Sequence, residues 1–430
     1  MVTLAANGCS NEGPTSERRP QDAGPGIDTA PQSQRVDLDE PSFSDPAAVT
    51  NPLFPSSKLA QVVQLGNEGG EELRVEVTPL LRTKTIEWKG QRIETLVSHF
   101  IAFLDGRIVE TAVDFFAQAD DGAVWYLGED VFNYEDGVVA DNEGTWLAGR
   151  DGPAGMIMPA DPQEGDVFRP ENIPGLVFEE VTIKATGRTL DGPRGAVGGA
   201  VVTQEHLMDD TFEGKIFAPG YGEFQIRAED EFAAVAVAAP IDAAPGPAPI
   251  ELEELAVSAH DAFRAGQAED WLRAAGARDE LRSAWDAYRK QRVPPLVAKD
   301  LDESLAALDS GISNREASET SQAAIEVAHG AADLLLQHRA AAEVDLMRLD
   351  VWARQLILDA ATGSAGDVKG DVATLEAIWV RASSSVSQPS VRDVEEGLAA
   401  LRAAADARKL NEAARAANRL RDALARSVGP

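Results

Sequence analysis

Residues 92–137 read RIETLVSHFIAFLDGRIVETAVDFFAQADDGAVWYLGEDVFNYEDG, with Asp-Gly pairs at 105–106, 121–122 and 136–137. Each pair follows a run of β-branched, aromatic and other apolar residues, which is typical of strands. Asp-Gly suits two-residue hairpin turns, because both central positions of a type I′ turn need positive φ. The stretch therefore predicts an antiparallel meander, with strands over 92–104, 107–118, 123–134 and 138–147.

Strand patterns continue on both sides of this meander. One lies at 72–78, and four follow a Gly- and Pro-rich loop at 149–175, over 177–189, 196–207, 213–217 and 223–228. We predict an eight- or nine-stranded curved sheet or open barrel within residues 51–237. Its concave face is a candidate ligand site. Acidic residues at the hairpin ends are expected to be solvated turn residues, with a calcium site as the alternative; they are Asp120, Asp121, Glu129, Asp130, Glu135 and Asp136.

Short motifs in this part of the chain resemble a class of uncharacterised bacterial secreted domains. They are Asn51-Pro-Leu-Phe-Pro55, Val124-Trp-Tyr-Leu-Gly-Glu-Asp130, Gly155-Met-Ile-Met-Pro-Ala-Asp-Pro162 and Phe217-Ala-Pro-Gly-Tyr-Gly222. The resemblance covers most of residues 51–230. It implies a β fold and a secreted location, and it implies no particular activity.

The pattern changes to helical after an Ala- and Pro-rich linker at 238–249. Residues 300–308 match residues 393–401 at an offset of 93 positions, and Trp285 pairs with Trp379 at an offset of 94. We therefore predict an all-α domain made of two related four-helix repeats, over 250–341 and 342–430. The whole chain is thus expected to be an α+β multidomain protein, whose repeats form either two bundles or one helical array.

One candidate metal site lies in the first repeat. Glu326 and His329 form a Glu-x-x-His pair on one helical face, as in di-iron carboxylate bundles. His260, in the first helix of the same repeat, is the third candidate ligand. The second repeat has no equivalent of these three residues, and structural roles for the histidines are commoner. A transition-metal or haem site is therefore the alternative interpretation, and the favoured one has no cofactor.

The N-terminal segment predicts the location of the protein. Small residues precede Cys9, the single cysteine, so residues 1–9 resemble the cleavage box of a bacterial lipoprotein, in a truncated signal. The resemblance implies that Cys9 carries the lipid. Residues 10–50 are rich in Pro, Ser, Asp and Gln, and we expect them to form a disordered acidic tether.

Composition narrows the functional classes. Against 39 Lys and Arg there are 72 Asp and Glu, a net charge of −33. Such a surface repels nucleic acid and anionic lipid, so membrane contact is expected through the lipid anchor only. No catalytic motif is recognisable. We therefore expect a non-enzymatic, extracytoplasmic lipoprotein, anchored to the cell membrane, that displays domains for binding another envelope protein or a small ligand.

Overall fold

The computed structural model describes residues 29–386 and 388–427. As the sequence predicts, it is an α+β protein with an antiparallel sheet followed by helices. The strands are β1 Gln61–Glu68, β2 Glu71–Trp88, β3 Gln91–Leu104, β4 Arg107–Gln118, β5 Val124–Glu135, β6 Val138–Asp141, β7 Trp146–Leu147, β8 Gly155–Met158, β9 Val167–Ile173, β10 Val177–Gly192, β11 Gly195–Leu207, β12 Phe212–Ala218, β13 Gly222–Arg227 and β14 Glu231–Ala239. The helices are α1 Ile250–Gln267, α2 Trp271–Tyr288, α3 Pro295–Asn314, α4 Ala317–Leu335, α5 Ala341–Thr362, α6 Ala365–Ala382, α7 Gln388–Asp406 and α8 Leu410–Ser427.

The sheet consists of two meanders joined at its centre. Its order is β6-β5-β4-β3-β2-β1-β14-β13-β12-β11-β10-β9, and β7 and β8 pair with β5. The sheet curls until β8 reaches β9 at the opposite edge. There a Cβ on Gly155 would lie only 2.0 Å from the carbonyl oxygen of Pro170, so glycine permits this close approach. The result is a strongly curved sheet without a closed ring of hydrogen bonds.

Two of the three Asp-Gly pairs form the predicted turn. Asp105 and Gly106 have φ of 44° and 69°, and Asp136 and Gly137 have φ of 50° and 70°. In the third pair only Gly122 has positive φ. Local sequence therefore specifies the register of two hairpins directly.

Two predicted boundaries need correction. Residues 29–50, expected to belong to the tether, lie against the sheet, where Val49 is fully buried. The Asp120 carboxylate accepts a hydrogen bond from the backbone N–H of Ser44, at 2.8 Å. The linker also begins later than expected, because β14 continues to Ala239, which pairs with Gln61 of β1. In both places tertiary partners satisfy backbone groups in segments whose composition suggests a loop.

The helices pack on the convex face of the sheet and share its core. Phe103 of β3 stacks on Trp352 of α5 with ring centroids 5.3 Å apart. Val63 of β1 joins the apolar cluster of α1 to α4. The predicted β and helical domains therefore meet across a buried interface that includes these apolar contacts. Among the described residues, no helix is both long and apolar enough to span a bilayer.

The described helices form two sets of four, α1 to α4 and α5 to α8. Four helices lie in each half, and the loops that join the third helix of each half to the fourth are alike. Arg315 and Arg408, which are 93 positions apart, both have a left-handed backbone there, with φ of 58° and 53°. Few non-glycine residues adopt this conformation. The same backbone conformation thus recurs at the offset found in the sequence, and the duplication itself stays a prediction.

Candidate binding face of the sheet

The two faces of the sheet have different surroundings. On β2, Arg74 and Glu76 bond to helical residues, so their face is the one that the helices cover. Val75 lies between them and points to the other side, because side chains alternate along a strand. Its register partners Gln64 and Ala102, and then Glu110 on β4, share that side. We call this side, turned away from the helices, the inner face.

The inner face is strongly acidic. Strand register and the electrostatic contacts of the side chains place ten carboxylic acids and one lysine there: Glu68, Glu110, Asp114, Glu129, Glu171, Glu179, Glu205, Glu213, Glu223, Glu231 and Lys215. Six of the acids are at most 4% exposed. Buried carboxylates normally have a cation or several hydrogen-bond donors beside them. Among the described residues of this face, ten acids stand against one lysine, so acids are in large excess there.

Lys215 shows how this face holds an ammonium group. Its Nζ lies 2.7 Å from Oε2 of Glu205 and 3.3 Å from Oε2 of Glu213. All three side chains are almost completely buried. Despite that burial, the neighbouring carboxylates hold the pKa of Lys215 well above its usual value. The inner face therefore binds one charged ammonium already, from within the chain.

A second group of acids shares protons. Glu129 and Glu171 are in hydrogen-bond contact, which requires a proton between the two carboxyl groups. Burial raises the pKa of Glu171 to about 7 and that of Glu129 well above its usual value. The indole Nε1 of Trp146 donates to Glu171 at 3.0 Å, and the Tyr126 hydroxyl donates to Asp114 at 2.8 Å.

Glu110 is a deeply buried acid of this face with an unpaired carboxyl oxygen. It is 1% exposed, and its Oε1 makes no hydrogen bond. Burial raises its pKa to about 8. Glu231 behaves similarly, with a pKa raised to about 8 by burial and by Glu213. Each of these groups would become anionic at neutral pH if a cation were placed beside it.

The opposite side of β2, which the helices cover, carries a group with equal numbers of positive and negative side chains. We call this group the ion cluster. Three arginines meet three acids and Gln61 between the sheet and helices α4, α5 and α6. The ion pairs join Arg74 to Asp333 (2.7 Å), Arg348 to Asp333 (2.6 Å), Arg348 to Asp345 (3.2 Å), Arg381 to Asp345 (2.9 Å) and Arg381 to Glu76. Because positive and negative charges are equal in number, we interpret this cluster as a structural contact between sheet and helices and not as a candidate ligand site.

The structure separates the predicted metal ligands into different surroundings. His260 lies beside Arg421, whose guanidinium is 3.4 Å from His260 Nδ1. Glu326 accepts a hydrogen bond from Gln322, and His329 packs edge-on against Trp352. Burial lowers the pKa of His329 to about 3.

Across residues 29–386 and 388–427, no group of three or more His, Cys, Asp or Glu side chains is arranged to hold a metal ion. The three candidates therefore do not form the site that the alternative interpretation requires. Cys9 lies outside the described residues.

Most of the inner face is not apparent from local sequence. Glu129, expected at a solvated hairpin end, is only 3% exposed. The available signal was Glu213-Gly-Lys215-Ile-Phe217, where charged residues alternate onto the same side as a core phenylalanine. Comparison with known proteins adds nothing to this picture, since neither a family model nor a curated protein matches the chain.

Proposed function

We propose that this chain is a non-enzymatic binding protein of the cell envelope, and that the inner face of its sheet binds an organic cation with several ammonium groups. The observation that carries the proposal is Glu110, a buried carboxyl whose Oε1 makes no hydrogen bond, on a face where ten acids surround one lysine among the described residues. A buried charge without a counter-charge is costly, and a bound cation removes that cost.

Polyamines suit the face better than a single metal ion. The acids extend over many strands, from β4 and β5 at one side to β10 to β12 at the other. A metal ion needs several ligands at one point, within about 2.0–2.6 Å of it. A flexible chain with amines at intervals can instead meet separate carboxylates, each in the way that Lys215 meets Glu205 and Glu213.

Titration calorimetry with spermidine tests the proposal. We expect binding that strengthens from pH 6 to pH 8, because burial holds Glu110 and Glu231 protonated at the lower pH. Binding should release protons, so the measured heat should depend on the ionisation enthalpy of the buffer. Glu110→Gln should weaken binding by about tenfold or more at pH 8, the cost of one charge-assisted hydrogen bond.

The matched control is Glu395→Gln, at an exposed position of α7. It removes the same charge from the chain, so it reports the general attraction of a protein with net charge −33. If Glu395→Gln weakens spermidine binding as much as Glu110→Gln does, the ligand is held only by the overall field and the proposal is wrong. Equal binding of magnesium at equal ionic strength would lead to the same conclusion.

Display at the cell surface is the second part of the proposal, and it rests on the lipoprotein-like residues around Cys9. When the gene is expressed with its own upstream region, we expect the protein in the membrane fraction and labelled by radioactive palmitate. Cys9→Ser should abolish the label and release the protein, because the lipid is the expected attachment. Membrane attachment that persists in Cys9→Ser would contradict lipid anchoring while leaving cation binding unaffected.

A further inference from the structure

A cleft lies between the two halves of the helical array, away from the inner face of the sheet. Its volume is about 300 Å³, and its walls come from α1, α4, α5 and α8. Most of the lining is apolar and includes Leu346, Met347, Val351 and Leu424. This is the size and character of a small-molecule site, at the lower end of the usual range.

One end of the cleft is positively charged. Arg354 and Arg421 both bond to a single carboxylate, that of Asp350, and the distance from Arg421 Nε to Asp350 Oδ1 is 2.7 Å. Burial, together with the two arginines, lowers the pKa of the nearby His260 to about 4, so the imidazole is neutral at pH 7. Among the described residues of this group, two arginines therefore bond to one carboxylate.

Arg354 also has unused hydrogen-bonding capacity. It is 7% exposed, and its Nε has no hydrogen-bond partner. Burial lowers the pKa of Arg354, which shows that the charge is not fully compensated. In a chain of net charge −33, a mostly buried group with surplus positive charge inside an apolar cleft is unlike the surrounding surface. A bound anion would supply the missing partner.

We propose that this cleft binds a small monocarboxylate with an apolar tail, the carboxylate facing Arg354 and Arg421 and the tail lying along Leu346, Val351 and Leu424. The volume corresponds to about ten water molecules of the liquid, which limits the ligand to roughly ten non-hydrogen atoms. A medium-chain fatty acid of about eight carbons has this size. The site is independent of the inner face and of cation binding there.

Calorimetric titration of the full chain with octanoate, 1-octanol and octylamine tests the assignment. We expect octanoate to bind about tenfold or more tightly than 1-octanol, because only the carboxylate compensates the arginines. Octylamine should not bind in the cleft. Arg421→Gln should lower octanoate affinity about tenfold or more, and Arg402→Gln, in a comparable ion pair with Glu376 on neighbouring helices, should leave it unchanged.

A second variant keeps all the charges. Ala256→Phe places a ring in the cleft, and we expect it to abolish octanoate binding while spermidine binding stays as in the wild type. If 1-octanol binds as tightly as octanoate, if Arg402→Gln has the effect of Arg421→Gln, or if octanoate still binds to Ala256→Phe, the assignment is overturned. Absence of octanoate binding at millimolar concentration overturns it as well.

Discussion

Arg348→Met should lower the free energy of unfolding by about 3–5 kcal/mol, the usual cost of removing one partner from a buried ion pair. Arg348 is fully buried and bonds to both Asp333 and Asp345. Methionine fills much of the same space, so the loss is mainly electrostatic. It leaves two arginines against the three acids that join the sheet to the helices.

Urea denaturation at pH 7 measures this loss, with Arg392→Met as the control. The Arg392 side chain is 75% exposed, and its substitution should change the free energy of unfolding by less than about 0.5 kcal/mol. The effect of Arg348→Met should shrink in acid. Burial raises the pKa of Glu76, but the neighbouring arginines outweigh burial and hold this pKa well below its usual range. The stability that Glu76 contributes is therefore present above its unfolded pKa and is lost as pH falls through its folded pKa. If Arg348→Met and Arg392→Met lowered the free energy of unfolding equally, the ion cluster would not be a stabilising buried contact.

Glu110→Gln should raise the free energy of unfolding of the ligand-free protein at pH 8, the opposite of the effect of Arg348→Met. The pKa of this carboxyl is raised from 4.5 to about 8 by burial, so the folded chain binds its proton more tightly than the unfolded chain does. The stability linked to that proton is present below pH 4.5 and is lost as pH rises to about 8. Glutamine cannot ionise, so the variant should avoid a loss of about 2–4 kcal/mol at pH 8.

Denaturation without polyamine at pH 5 and pH 8 tests this sign. The variant and the wild type should be nearly equal at pH 5 and should diverge as pH rises, whereas Glu395→Gln should follow the wild type throughout. A variant less stable than the wild type at pH 8 would show that Glu110 has a cationic partner in the folded chain. If Glu110→Gln is more stable than the wild type at pH 8 and also binds spermidine more weakly, Glu110 lowers the stability of the free protein while contributing to ligand binding.

Local sequence determined the class of fold and many of its elements. Asp105-Gly106 and Asp136-Gly137 specify their hairpins, because few other residue pairs accept two consecutive positive φ angles. The change of hydrophobic period near residue 250 marks the start of the helices. The internal match at an offset of 93 predicts two groups of four helices.

Only the tertiary structure decided where the charges lie. The pairing of β1 with β14 joins two meanders into one curved sheet, and that sheet gathers acids from distant strands onto one face. On β2, Arg74 and Glu76 contact the helices, whereas Val75 between them faces the acids. No local pattern distinguishes a solvated glutamate from Glu110, because burial depends on residues far away in the chain. For the same reason, the cleft between α1, α4, α5 and α8 exists only once the two helical halves pack together.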